Sequence, residues 1–125
     1  MREKSKVLCH LLLVASLSLV LAGCAMAPVI GSRIQHEKLM DGVYEGSYRS
    51  LPNSAVVKVT IAEGRIVNVK LVRQFASWKG KKVREVIPRR IVSEQSTVVD
   101  AVTGATNSSR VIMNAVQRAV EKAYK

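Results

Sequence analysis

Two alternating runs joined by a glycine turn leave this chain few folds to choose from. In residues 55–62, Val57, Val59 and Ile61 point one way and Val56, Lys58 and Thr60 the other. That is the period-two pattern of a half-buried strand. Residues 65–73 repeat it, which predicts Val67, Val69 and Leu71 inward against Asn68 and Lys70. Only Glu63 and Gly64 separate the runs, and a two-residue connection containing glycine closes a hairpin. Residues 43–49 read as a further strand with Tyr44 and Tyr48 on one face. Leu51, Pro52, Asn53 and Ser54 supply the loop between, being turn-forming chemistry. An antiparallel neighbour added to the hairpin makes a small meander with one buried face.

The cover for that face must come from the C-terminal half. From about residue 109 to 123, apolar side chains recur at Ile112, Val116, Ala119, Val120 and Ala123, the spacing of an amphipathic helix. Arg110, Asn114, Gln117, Arg118, Glu121 and Lys122 are expected largely on its other faces. The inner stripe is small, so helix and sheet backbones can approach closely. Residues 74–85 read as a polar connection holding Phe75, Trp78, Lys79, Lys81, Lys82 and Arg84. Phe75 and Trp78 are expected to close the edge of the core, the alternative being cover for a planar ligand. Pro88 suits the first position of a helix, where its missing N–H is harmless. Residues 89–95 are therefore predicted as a short helix burying Ile91 and Val92. The fold class is α+β, a small antiparallel meander packed against a C-terminal helix and a short second helix, over residues 41–125.

Residues 1–23 read as a leader. Arg2, Lys4 and Lys6 precede an apolar run over residues 7–20, then Leu21, Ala22, Gly23 and Cys24. This is the layout of a secretory signal, and fewer than about 18 strongly apolar residues is short for a membrane span. The tetrapeptide ending at Cys24 also resembles the lipobox of bacterial lipoproteins. That resemblance implies lipidation of Cys24, anchorage to a membrane and a place in the bacterial cell envelope outside the cytoplasm. Removing three basic residues and one acidic residue lowers the net charge from +11 to +9. It also removes Cys9 and His10, leaving Cys24 and His36 as the only cysteine and histidine. No zinc site and no Cys/His catalysis is expected from such a set, and His36 is expected to be solvated.

Residues 24–40 read as a lipidated N-terminus and flexible tether, with Pro28, Gly31 and Ser32 and no sustained period. A flexible stretch of this length reaches roughly 20 Å. The basic surplus describes a cationic surface able to meet anionic lipid headgroups. Nucleic acid is set aside as a partner, given the export signal and the scarcity of aromatics, one Trp, three Tyr and one Phe, where base stacking needs several.

Residues 100–109 carry the chemistry. Asp100, Thr103, Gly104, Ala105, Thr106, Asn107, Ser108 and Ser109 crowd small polar residues and a glycine before the closing helix. Hydroxyls and unpaired backbone N–H groups at a helix N-terminus suit a phosphate. A plain turn with a helix cap uses the same residue types.

The order Asp41, Gly42, Tyr44, Gly46, then Ile87, Pro88, Ile91, Val92, Gln95, Ser96, then Asp100, Thr103, Gly104, Ala105, Thr106 resembles the bacterial FMN-binding domain family. That family includes flavin subunits of the sodium-pumping NADH:quinone reductase and of Rnf complexes. The resemblance implies covalent FMN, moved from FAD by a flavin transferase onto the hydroxyl of Thr106 as a phosphoester. Asp100, Thr103, Gly104 and Ala105 would form the recognition sequence. Ser108 and Ser109 would either bond the phosphate or cap the helix. The implied role is electron transfer with redox partner proteins or a quinone-linked chain, and the +9 mature charge adds the expectation that nearby basic groups stabilise the reduced, anionic flavin. Two alternatives stand beside it. One is a module or sensor holding FMN non-covalently; the other is a structural envelope lipoprotein binding anionic lipid or polymer.

Overall fold

β1 (Gly42–Ser50), β2 (Asn53–Ala62) and β3 (Arg65–Phe75) form one antiparallel sheet in sequence order. Helices α1 (Val83–Glu94) and α2 (Thr106–Glu121) cover one of its faces. The α+β meander is therefore as expected. The computed structural model describes residues 3, 4, 6, 7, 26–76 and 81–125. Most of the leader, Cys24, Trp78 and Lys79 lie outside the described residues.

β2 is the central strand, and its alternation survives folding. Ala55, Val57, Val59 and Ile61 are all buried. The predicted loop shrinks to Leu51 and Pro52, because Asn53 and Ser54 already pair with Ser50 and Arg49. β3 departs from strict alternation. Thr60 pairs with Asn68 but Ile61 pairs with Ile66, so Val67 is an extra residue in the ladder. Such a bulge turns its neighbours without changing their order. Ile66 and Val69 are both buried, and Val67, expected inward, is 50% exposed. Val72 is likewise extra, between Leu71 opposite Val57 and Arg73 opposite Val56.

The β2–β3 turn is braced from outside. Glu63 and Gly64 have φ of 54° and 70°, as a two-residue hairpin turn with the favoured twist requires. The Asp41 carboxylate accepts their N–H groups at 3.0 and 3.1 Å. The bond from Gly64, then that from Glu63, hold its pKa below the ordinary 3.8. His36, expected to be solvated, sits half-buried in a 3-10 turn and donates from Nδ1 to the Gly64 carbonyl at 3.0 Å.

The closing helix packs as its small residues foretell. At Gly46 of β1, a Cβ would stand 2.1 Å from the Ala115 carbonyl oxygen and 2.4 Å from the Ala119 nitrogen. Only glycine permits that approach. Asn114 and Gln117 were expected on outer faces, yet both are buried. The reason is residues 26–40, which run back across α2 where a flexible tether was expected. Ala27, Ile34 and Leu39 are buried. The Asn114 side chain donates to the Pro28 carbonyl at 2.7 Å and accepts the Ile30 N–H at 3.3 Å. Gln117 Oε1 lies 2.6 Å from the fully buried Thr97 hydroxyl, which also accepts the Ser32 N–H at 3.0 Å. Amides buried in this way are stable only because these partners replace water.

α1 is longer than expected. It starts at Val83 and carries Pro88 inside. The missing N–H leaves the carbonyl of Arg84 without its helical partner, and Arg84 is exposed to solvent. Val83, Ile87, Pro88 and Ile91 are buried, while Val92 is only half-buried. The helix ends at Gln95 with a left-handed φ of 50°. The Gln95 side chain then accepts the Ile66 N–H at 3.0 Å and donates to the Ile66 carbonyl at 2.8 Å. One amide thus pairs the outer edge of β3 at Ile66, which would otherwise be bare.

Candidate functional site

The connection from Gln95 to α2 is held from both sides before it reaches the motif. Arg90 of α1 donates from Nη1 to the Asp100 carbonyl at 2.5 Å. The Ala105 N–H closes a turn on the Val102 carbonyl at 3.0 Å, with Gly104 at φ 80°. A Cβ at Gly104 would meet nothing within 4 Å. Backbone conformation rather than crowding asks for glycine there.

Ser109 locks this turn to the helix. Its hydroxyl donates to the Ala105 carbonyl at 2.8 Å and accepts the Val102 N–H at 3.0 Å. Ser108 is also buried, with Oγ 3.4 Å from Oδ1 of Asn53 at the start of β2. Both hydroxyls are turned to the protein. Neither caps the helix, whose N-cap position is Ala105.

α2 therefore begins uncapped, at Thr106. The N–H groups of Thr106, Asn107 and Ser108 have no carbonyl a turn earlier within the helix. No acidic side chain stands in that first turn to neutralise the positive end of the dipole. Thr106 is half-buried, and among the described residues its hydroxyl forms no hydrogen bond. Asn107 is engaged elsewhere, its Oδ1 accepting the Ala27 N–H at 2.8 Å. Asp100 and Thr103 are exposed, and Ala105 is buried.

A groove of about 450 Å³ opens beside this helix start. Ala101, Val102, Thr103, Gly104 and Ala105 line one side, and Lys82, Val86 and Arg90 the other. The structure thus brings Thr103, Gly104 and Ala105 into one wall, next in sequence to Thr106. It leaves Asp100, Thr106, Ser108 and Ser109 off the lining, Thr106 standing one residue past its edge at Ala105. The opposite wall was missed in the sequence. From the sequence, Lys82 falls in a polar connection and Arg90 within a short helix, without a role for either. The available signal was spacing: positions 82, 86 and 90 recur every fourth residue, which puts them on one helical face. Phe75, expected to close the core edge, is 66% exposed. Among the described residues no group of three or more His, Cys, Asp or Glu could hold a metal ion.

The family model for the FMN-binding domain matches residues 53–121, the span from the start of β2 to the end of α2. The chain belongs to the FMN-binding domain family. A 90-residue stretch is also 36% identical to an uncharacterized protein of Treponema pallidum (strain Nichols). The match covers 68% of this chain and 24% of that protein, so the chain spans about a quarter of its relative's length. No solved structure matches.

The protein is a flavin-binding module, and the groove fits FMN. Its volume lies within the roughly 300–1,000 Å³ of small-molecule sites. Val86, Ala101 and Val102 offer apolar surface to a ring system. Lys82, Arg90 and the bare N–H groups of α2 suit an anionic phosphate end.

Proposed function

We propose that this chain is a membrane-anchored, extracytoplasmic flavoprotein that carries FMN covalently on Thr106 and acts in electron transfer. The observation that carries the reading is the state of Thr106. Its hydroxyl has no hydrogen-bond partner among the described residues, at the uncapped first position of α2, next to the cationic groove.

In the attachment step, Thr106 Oγ1 forms a bond to the FMN phosphorus of FAD. The pyrophosphate P–O bond breaks, AMP leaves and the hydroxyl proton is lost to the transferase or solvent. The first-turn N–H groups of α2 would hold the phosphate of an attached FMN, and the positive charge of Lys82 and Arg90 would favour an anionic ligand in the groove. Bound FMN supplies the redox chemistry, and the protein supplies position and electrostatics. Lipidation of Cys24 would keep the module at the envelope membrane, where its partners are redox proteins or a quinone-linked chain.

The test is denaturing electrophoresis of protein co-expressed with a flavin transferase. Wild type should give a fluorescent band and an intact mass raised by one FMN, and Thr106→Ala should give neither. Flavin that is present in the native protein but released on denaturation would instead support non-covalent binding.

A further inference from the structure

We propose that the end of the domain carrying the α2 N-terminus docks on an anionic bilayer surface, with Leu51 and Phe75 at the contact. The proposal rests on the reading of Cys24 as a lipid anchor.

The path of the chain sets the orientation. The Ala27 N–H bonds Asn107 Oδ1 at 2.8 Å, and Arg110 reaches the Ala27 carbonyl at 3.2 Å. The described chain is thereby pinned to the first turns of α2. Cys24 stands two residues before Met26, a stretch that spans at most about 7 Å. A lipid on Cys24 therefore enters the membrane beside this end, where a loose tether of roughly 20 Å would have let the domain tumble.

The same end presents the right surface. Leu51 is 71% exposed and Phe75 66%. Both adjoin the start of β2: Leu51 lies two residues before Asn53, which contacts Ser108 of α2, and Phe75 pairs with Ser54. Arg49 pairs with Ser54 and Arg73 with Val56, on the sheet face that the helices leave uncovered. An aromatic and an aliphatic side chain flanked by arginines match the headgroup boundary of an anionic membrane. The far end differs in charge. Around the β2–β3 turn and the 3-10 turn, Lys38, Arg65 and Lys125 are balanced by Glu37, Asp41 and Glu63. An acidic partner protein would also meet the arginines, but it gives no reason for the anchor to emerge here. Docked this way, a flavin on Thr106 lies at the membrane-facing end, within reach of lipid-soluble carriers.

Phe75 is the single phenylalanine of the chain, so para-fluorophenylalanine labelling gives one fluorine NMR line. The full chain, produced with its leader and purified from bacterial membranes, is reconstituted into phosphatidylglycerol–phosphatidylcholine vesicles with a trace of gadolinium-chelating lipid. The Phe75 line should broaden several-fold. Val43→Phe, made with Phe75 kept, adds a second line at the far end, where Val43 is exposed and pairs with Thr60, and that second line should stay sharp while the Phe75 line broadens. Arg49→Glu with Arg73→Glu should sharpen the Phe75 line while the protein still sediments with vesicles. A sharp Phe75 line in sedimenting wild type overturns the docking and leaves the anchor standing, as does equal broadening at both label positions. Protein that fails to sediment overturns both.

Discussion

Gly46→Ala puts the closest contact of the fold under test. The added Cβ would stand 2.1 Å from the Ala115 carbonyl oxygen, 2.4 Å from the Ala119 nitrogen and 2.9 Å from the Ala119 Cβ. The shortest of these is about 1.4 Å inside the ~3.5 Å optimum for non-bonded heavy atoms. Two of the three neighbours are backbone atoms of a helix, so no rotamer change relieves the overlap. α2 must move off β1, and the buried contacts of Val57, Val116 and Ala119 loosen with it. Overpacking costs about 1–3 kcal/mol where side chains can give way, so a backbone clash belongs at about 3 kcal/mol or more. That is a large part of the ~5–15 kcal/mol available to a domain. For a domain of this size it lowers Tm by roughly 12 °C or more. Urea and thermal unfolding followed by far-UV circular dichroism measure it. Ala119→Gly should not rescue the variant, because the two backbone contacts remain. Gly104→Ala is the contrast: only its positive φ resists, at about 1–2 kcal/mol. A Gly46→Ala protein within ~4 °C of wild type, or rescued by Ala119→Gly, would refute the close-approach argument.

Three further outcomes are expected. Ser109→Ala removes both bonds that tie the motif turn to α2, costing about 1–3 kcal/mol for the groups left unpaired; amide exchange at Val102 should quicken and flavin loading fall although Thr106 is intact. Gln95→Ala strips both partners from Ile66 at the β3 edge, so stability should drop by about 2 kcal/mol or more with faster exchange of the Ile66 N–H, and an unchanged Ile66 exchange rate would contradict the edge-pairing role. The folded pKa of Asp41 lies below its ordinary 3.8. Its contribution is therefore fully present above that value and is lost as pH falls through the folded pKa. Asp41→Asn should flatten the dependence of Tm on pH over about pH 5 to 2, and a profile parallel to wild type would count against it.

Much of this protein follows from local pattern. The β2 alternation, the Glu63–Gly64 turn and the small stripe of α2 depend on the period of a strand or helix, which neighbours in the chain set by themselves. The motif was legible for the same reason, since Gly104 and the start of α2 are local backbone events. What tertiary structure alone decided are the contacts that join distant residues. The bulges at Val67 and Val72 exist only in the pairing of β3 with β2. Asn114 and Gln117 look like surface residues until residues 26–40 cross over them and replace water as their partners. Ser108 and Ser109 look like phosphate ligands until their hydroxyls find Asn53, Val102 and Ala105. Lys82, Val86 and Arg90 form a wall of the groove only because α1 begins early enough to face the motif. A hydrogen bond needs a partner at about 3 Å, and sequence spacing carries that distance only within one element.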